Sequence, residues 1–195
     1  PQLIKRHVDF NKMSLIEENK LKLSGVIFSE LPARIYPSGA RLTHGLGYLR
    51  TVTESVIKKS LDNKYRLDDV YGFSGLEKTY ESLLRGKDGV ELHSVDIYGR
   101  DHGLIDKDRT YPAQSGQEIT LTIDSNLQIM SELLLEGKKG AVVCMEPHSG
   151  EILAFTSAPD YDLNSFVGPI PRKLWDGWNQ DEQKPLMNRC INGAY

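Results

Sequence analysis

Ser55-Val56-Ile57-Lys58 has Ser-x-x-Lys spacing, which on a helix places a nucleophilic hydroxyl one turn from a lysine base, an arrangement suited to acyl transfer. A bare Ser-x-x-Lys gains weight only beside further groups, and a Ser-x-Asn and a Lys-Thr-Gly or Lys-Ser-Gly would supply a proton shuttle and strand-edge donors to the nucleophile. The sequence holds neither. With 15 serines and 14 lysines among 195 residues, about one such match arises by accident, and Ser55 and Lys58 are read as bystanders.

His7, His44, His93, His102 and His148 lack the close spacings of a zinc site, and neither Cys144 nor Cys190 has a neighbouring partner. No metal or cofactor is expected, and the histidines read as turn or packing residues. Cys144 lies in an apolar run, where a small buried hydrophobe is the simple reading, and two cysteines do not decide the redox compartment. The formal charge is −3 and Lys and Arg never run longer than two, which excludes the broad basic field of a nucleic-acid binder. No stretch of 18 apolar residues occurs, so no membrane span is expected within the sequence. Hydrophobic residues at 39%, charged residues at 26%, 17 glycines and 9 prolines describe a folded, turn-rich protein.

The elements that must position any site can be read from the patterning. Apolar spacing over Asp9 to Ile16 predicts a short helix, and Leu21, Leu23 and Val26-Ile27-Phe28 predict extended chain after it. Ala40 to Leu49 reads as a short helix, with Gly45 and Gly47 allowing close packing, and residues 51–70 read as surface. Ser74-Gly75-Leu76-Glu77 has capping-box spacing; Leu76, Tyr80, Leu83 and Leu84 follow on one helical face, and Gly86 supplies the stop. Val90 to Tyr98 predicts a strand, 99–117 turns, and the alternation of Ile119, Leu121 and Ile123 a half-buried strand. Ser125-Asn126-Leu127-Gln128 opens a helix whose Leu127, Met130, Leu133 and Leu134 form a core-facing stripe. Two strands, Ala141 to Met145 and Ile152 to Phe155, flank a tight Pro147-His148-Ser149-Gly150 loop, and from Pro159 onward the chain turns irregular.

Four ordered blocks carry a resemblance. Arg34-x-Tyr36-Pro37-x-Gly39 with His44-x-x-Gly47-Tyr48 is the first, and Gly72-x-x-Gly75-Leu76-Glu77-x-x-Tyr80-x-x-x-Leu84-x-Gly86-x-x-Gly89 the second. Leu121-Thr122-Ile123-Asp124-x-x-Leu127-Gln128 is the third. The fourth runs from Gly140-Ala141-Val142-Val143 through Pro147-x-x-Gly150-Glu151-Ile152-Leu153-Ala154 and on to Pro159-x-Tyr161-Asp162-x-Asn164-x-Phe166. Over roughly residues 21–195 the sequence resembles the class B penicillin-binding proteins. Pro185-Leu186-Met187-Asn188-Arg189 and Gly193-Ala194-Tyr195 look like the lead-in to the nucleophile motif of the elongation-type members.

The resemblance implies an α+β fold: a non-catalytic pedestal, or dimerisation-type, domain over 1–117, then the N-terminal fragment of a transpeptidase domain over 118–195. Its nucleophile is expected beyond Tyr195. The family's first pedestal motif, an Arg-Gly followed by an Asp-Arg-Asn-Gly, does not occur, so that motif and a single membrane anchor are expected ahead of Pro1. The implied whole is a D,D-transpeptidase of cell-wall elongation on the periplasmic side of a bacterial inner membrane, inhibited by β-lactams. Its implied partners are an MreC-type scaffold and a SEDS-type glycosyltransferase. A division-type pedestal, a free-standing adaptor and a β-lactam sensor are the alternatives. The structural motif residues are then Arg34, Tyr36, Pro37, Gly39, His44, Gly47, Tyr48, Gly75, Leu76, Glu77, Tyr80 and Gly86, with Arg34 and Glu77 expected to form a bidentate bridge. The competing expectation leaves Arg34 solvated and Glu77 capping its own helix.

Overall fold

The computed structural model describes residues 4–5, 8–23, 25–28, 33–37, 39–59, 65–67, 69–97, 101–105 and 109–193. Packing groups the chain by space rather than by order, into one unit of Pro1–Pro32 with Asp88–Gln114 and another of Ala33–Lys87 with Ser115–Tyr195.

The first unit holds helix α1 (Phe10–Glu18), whose Asp9 accepts from the Lys12 amide at 2.9 Å and so satisfies a donor that the first turn leaves open. None of its residues is buried, and Phe10 is 74% exposed. The extended chain expected over 21–28 is not a strand: Lys20 to Leu23 make turns, the Val26 amide donates back to the Leu23 carbonyl at 3.2 Å, and 26–28 carry no strand. The run from Val90 is broken as well. Val90 bridges Tyr111, and among the described residues His93–Val95 (β3) pairs as a strand with Asp101–Leu104 (β4), through a bulge. Strand β4 lies where only turns were expected.

In the second unit, α2 (Thr43–Leu46) leads to β1 (Leu49–Thr51) and α3 (Glu54–Lys59), and β1 pairs antiparallel with β2 (Val70–Gly72). Val52, in the stretch read as surface, is 1% exposed. Two short helices follow, α4 (Gly75–Thr79) and α5 (Glu81–Leu84), broken at Tyr80, so the expected single apolar face is split and Tyr80 and Leu83 stand exposed. Gly86, at φ 74°, ends them as expected.

Residues 118–123 do not form the expected strand. Their end is tied to the following hairpin, Thr122 Oγ1 donating to the Ile152 carbonyl at 2.8 Å and the adjoining Asp124 amide to that of Leu153 at 2.9 Å. Helix α6 (Ser125–Leu134) is present, capped by Asp124 rather than by Ser125. Hairpin β5 (Gly140–Met145) with β6 (Ile152–Ala158) is antiparallel, as read. A 3₁₀ helix (Leu163–Phe166), α7 (Arg172–Gln180) and α8 (Arg189–Asn192) complete the unit.

The core-facing stripe assigned to α6 is corrected by the structure. Met130, Leu133 and Leu134 are all more than half exposed, while the buried face carries Gln128, Ser131 and Glu132. The reason is a set of backbone donors that this face must satisfy, described below. The unit's apolar core is instead aromatic: Tyr161, Leu163 and Phe166, with Tyr36, Leu46, Tyr48, Ile170, Trp175, Trp178 and Leu186 packed around them. Trp178 lies parallel to Phe166 at 5.3 Å, and Tyr48 sits 4.3 Å from the same ring.

Candidate functional site

The signature residues converge in the second unit on a polar clasp. Arg34 donates from Nε to Glu77 Oε1 at 3.0 Å and from Nη2 to Oε2 at 3.1 Å, the planar fork that matches a carboxylate. Tyr36 donates its hydroxyl to Glu77 Oε1 at 3.1 Å, so the carboxylate has three charge-assisted or neutral donors and is nearly buried. Burial, together with the adjacent Glu77 charge, holds the Tyr36 hydroxyl well above the usual phenol range, which keeps it a donor. The expected bridge is therefore present and the competing capping role is absent. Ser74 makes no side-chain cap and instead accepts from the Tyr48 amide at 3.1 Å.

Glycine is required where the two blocks cross. Gly47 (φ 77°) and Gly75 (φ 60°) bring the end of α2 against the start of α4, and a Cβ on Gly47 would stand 2.0 Å from the Ser74 carbonyl oxygen. A Cβ on Gly75 would meet the Gly45 carbonyl oxygen at 2.6 Å. Gly39 makes a bend with open space around it, Pro37 lies outside any helix, strand or turn, and Leu76 is half-buried on α4.

The first block also grips the segment beyond residue 118. The Asn164 side chain accepts from the Tyr36 amide at 3.0 Å and donates to the Tyr36 carbonyl at 2.9 Å, as a neighbouring strand would. Glu132 on α6 accepts from the Arg41 and Leu42 amides, from Arg41 Nε at 3.4 Å and from Gln128 Nε2 at 2.8 Å. Gln128, 0% exposed, accepts from the Phe155 amide at 2.7 Å and donates to Thr156 Oγ1 at 3.0 Å. Arg41 also reaches Asp160 at 3.1 Å, whose carboxyl is pushed up by burial against the opposing pull of that guanidinium. Buried donors left without such acceptors would each cost about 1–3 kcal/mol, which explains a polar buried face on α6.

His44 is buried edge-on to Tyr161, and its Nε2 lies 2.9 Å from the Pro185 carbonyl oxygen. Tyr48 stacks with Phe73, and the Arg50 guanidinium lies 3.6 Å over the Phe73 ring. Ser55 and Lys58 are exposed on α3, where Ser55 Oγ meets only the Thr53 hydroxyl among the described residues. His93 lies 3.2 Å from Glu91, His102 lies 3.7 Å from Asp96, and His148 is exposed; His7 falls outside the described residues. Cys190 donates its thiol to the Thr156 carbonyl at 3.2 Å, and burial pushes that thiol up to about 11. Cys144 is half-buried in β5.

The sequence assigns no role to Arg41, Arg50 or Glu132, and it places Gln128 and Asn164 within the third and fourth blocks without pointing to their contacts. A further usable signal is Gln128 and Glu132 at i,i+4 spacing, two polar residues sharing a helix face in a leucine-rich segment.

The family model described as the penicillin-binding protein dimerisation domain matches residues 1–121. Peptidoglycan D,D-transpeptidase MrdA of Salmonella typhimurium is 34% identical over 199 residues, covering 100% of this chain and 32% of that protein. Its namesake from Escherichia coli K12 is 35% identical over 182 residues, covering 91% and 28%. Among solved structures, the complex between PBP2 and MreC from Helicobacter pylori superposes with a TM-score of 0.76 at 29% identity, over 94% of this chain and 34% of that one. The chain spans about a third of the length of the curated relatives it matches. The mixed helices and short sheets are those of the PBP2 structures, which bears out the α+β expectation.

Proposed function

The chain belongs to the penicillin-binding protein dimerisation-domain family, and on that premise we propose that it is the non-catalytic part of a peptidoglycan D,D-transpeptidase of cell-wall elongation. Its work is to position a catalytic domain and to receive regulatory partners on the periplasmic side of the inner membrane. The observation that carries this reading is the clasp: the pedestal blocks at 34–48 and 72–86 share one core and one hydrogen-bonded network with residues 118–193. A pedestal joined in this way transmits a change in its own arrangement to the segment it grips.

An MreC-type scaffold is the partner assigned to it, with a SEDS-type glycosyltransferase as the second. The H. pylori PBP2 complex with MreC supports the first assignment. The unit of Pro1–Pro32 and Asp88–Gln114 is the docking side, since Phe10, Leu15, Val95 and Ile105 are all exposed there and such apolar surface suits a partner.

Intact mass after incubation with a fluorescent penicillin tests the catalytic assignment on two samples, this chain and the full-length protein. One adduct on the full-length protein and none on this chain is expected. An adduct on neither overturns the transpeptidase reading, and an adduct on this chain overturns the non-catalytic assignment. For docking, Leu15→Asp with Val95→Asp is expected to weaken scaffold binding at least tenfold by calorimetry, roughly the loss of one buried apolar anchor. Unchanged affinity would remove docking from this unit.

A further inference from the structure

His44 stands in the first of the ordered blocks, buried on α2 against Tyr161. It is 9% exposed, and its Nε2 meets a carbonyl oxygen, an acceptor with no proton to give. The ring therefore carries its proton on Nε2, and Nδ1 is left as a buried lone pair with no hydrogen-bond partner among the described residues. An imidazole that leaves one nitrogen unsatisfied is held there by what the other nitrogen does.

That nitrogen holds Pro185, in the turn that runs from Asp181 into α8. The rest of the turn is gripped from its own side. Arg189, 4% exposed, donates to the carbonyls of Gln183, Lys184 and Met187. Ser157 on β6 donates to the Met187 carbonyl at 3.2 Å and accepts from the Arg189 amide at 3.0 Å. Asn188 caps α8. Among the described residues, the hydrogen bond joining 33–87 to 181–193 is that of His44, and Leu186 beside it enters the aromatic core shared with Tyr36 and Tyr48.

We infer that His44 is a positioning residue that ties the pedestal block to the Pro185–Arg189 turn and, through α8, sets the placement of the segment that follows it. The consequence for catalysis rests on the proposed transpeptidase reading, in which that following segment carries the nucleophile. A shift of α2 relative to β6 then pulls on the Pro185 carbonyl and moves the start of α8, without any change in the acyl-transfer groups themselves.

Two variants of the full-length protein separate the hydrogen bond from the ring. His44→Phe keeps an aromatic ring against Tyr161 and removes the donor; His44→Gln places an amide nitrogen near the Nε2 position and restores it. Hydrogen exchange of peptides spanning 183–193 is expected to rise about fivefold in His44→Phe, and the acylation rate by a fluorescent penicillin to fall about fivefold, as the loss of one hydrogen bond predicts. His44→Gln should lie within about twofold of wild type on both readouts. Wild-type exchange in His44→Phe overturns the tether. Raised exchange with an unchanged acylation rate overturns its transmission to the nucleophile, and His44→Gln matching His44→Phe overturns the role of the donor. If the wild-type protein takes no penicillin, the transpeptidase reading fails and the catalytic half of the inference with it, while the exchange data still decide the tether. Should His44→Phe not fold, nitrogen shifts of imidazole-labelled wild type decide it instead: the Nε2–H tautomer is expected, and Nδ1–H overturns the bond.

Discussion

In the unit of Ala33–Lys87 and Ser115–Tyr195 buried polar groups join distant segments alongside the aromatic core: Glu77, Gln128 and Glu132 are each at most 7% exposed and each makes at least three hydrogen bonds. In the unit of Pro1–Pro32 and Asp88–Gln114 the relation is inverted, with apolar side chains in water and a short bulged ribbon joined by backbone bonds. Burying a charge is costly unless every lone pair is met, so the first arrangement tolerates few alternatives. Exposed apolar surface on a ribbon with little core tolerates many, and a partner that covers it selects among them.

Removing a hub should have the largest effect. Glu132→Ala leaves the Arg41 and Leu42 amides without their acceptor and is expected to cost about 3–5 kcal/mol in urea unfolding, whereas Leu15→Ala in α1 should cost under about 0.5 kcal/mol. Comparable losses in the two units would end the contrast.

The next effect is a pH dependence. Burial, and behind it the nearby Arg189 charge, lowers His44 from its ordinary 6.5 to about 4, despite the Pro185 carbonyl, which acts the other way. Between those values the unfolded chain binds a proton that the folded chain refuses. Stability is therefore full above pH 6.5 and is lost as pH falls towards 4, by on the order of 3 kcal/mol. The measurement is the unfolding midpoint at pH 7 and pH 5 for wild type and His44→Phe, with a flatter profile expected in the variant.

Smaller again is the bridge. Arg34→Ala, Glu77→Ala and the double variant should show a coupling of about 1–3 kcal/mol, because a bidentate pair with one nearly buried member is not a surface pair. Additive losses would reduce Arg34 to a solvated side chain. Smallest is Leu133→Ser on α6, expected within about 0.5 kcal/mol in this chain, against about 2–5 kcal/mol for truncating a leucine in a packed core.

That last contrast shows where the sequence was legible. Helix α1, helix α6 and the β5–β6 hairpin follow from local rules, a cap, a period and a turn, and all three are present. Which face of α6 turns inward is not local: its leucines give the stronger periodic signal, but the amides of Arg41 and Leu42, 90 or so residues away, need the Glu132 carboxylate. Strand β4 was hidden by Asp101, His102 and Gly103, residues that favour turns, although Asp101 pairs with Val95 and Leu104 with His93 on either side of a bulge. The Arg34–Glu77 pair was legible through the family motifs, since 43 residues separate its members and no periodicity connects them. The grips of Asn164 and His44 were not, although both residues stand in the ordered blocks, because each is a polar side chain completing the backbone of a distant segment.

Both tryptophans of the chain, Trp175 and Trp178, lie against the Phe166 core of the second unit. Intrinsic indole emission is therefore a spectroscopic window on that unit alone, and the ribbon with α1 is dark in it. In a melt, indole fluorescence reads the second unit and far-ultraviolet dichroism reads both, and the separation between the two curves measures how independently the units unfold.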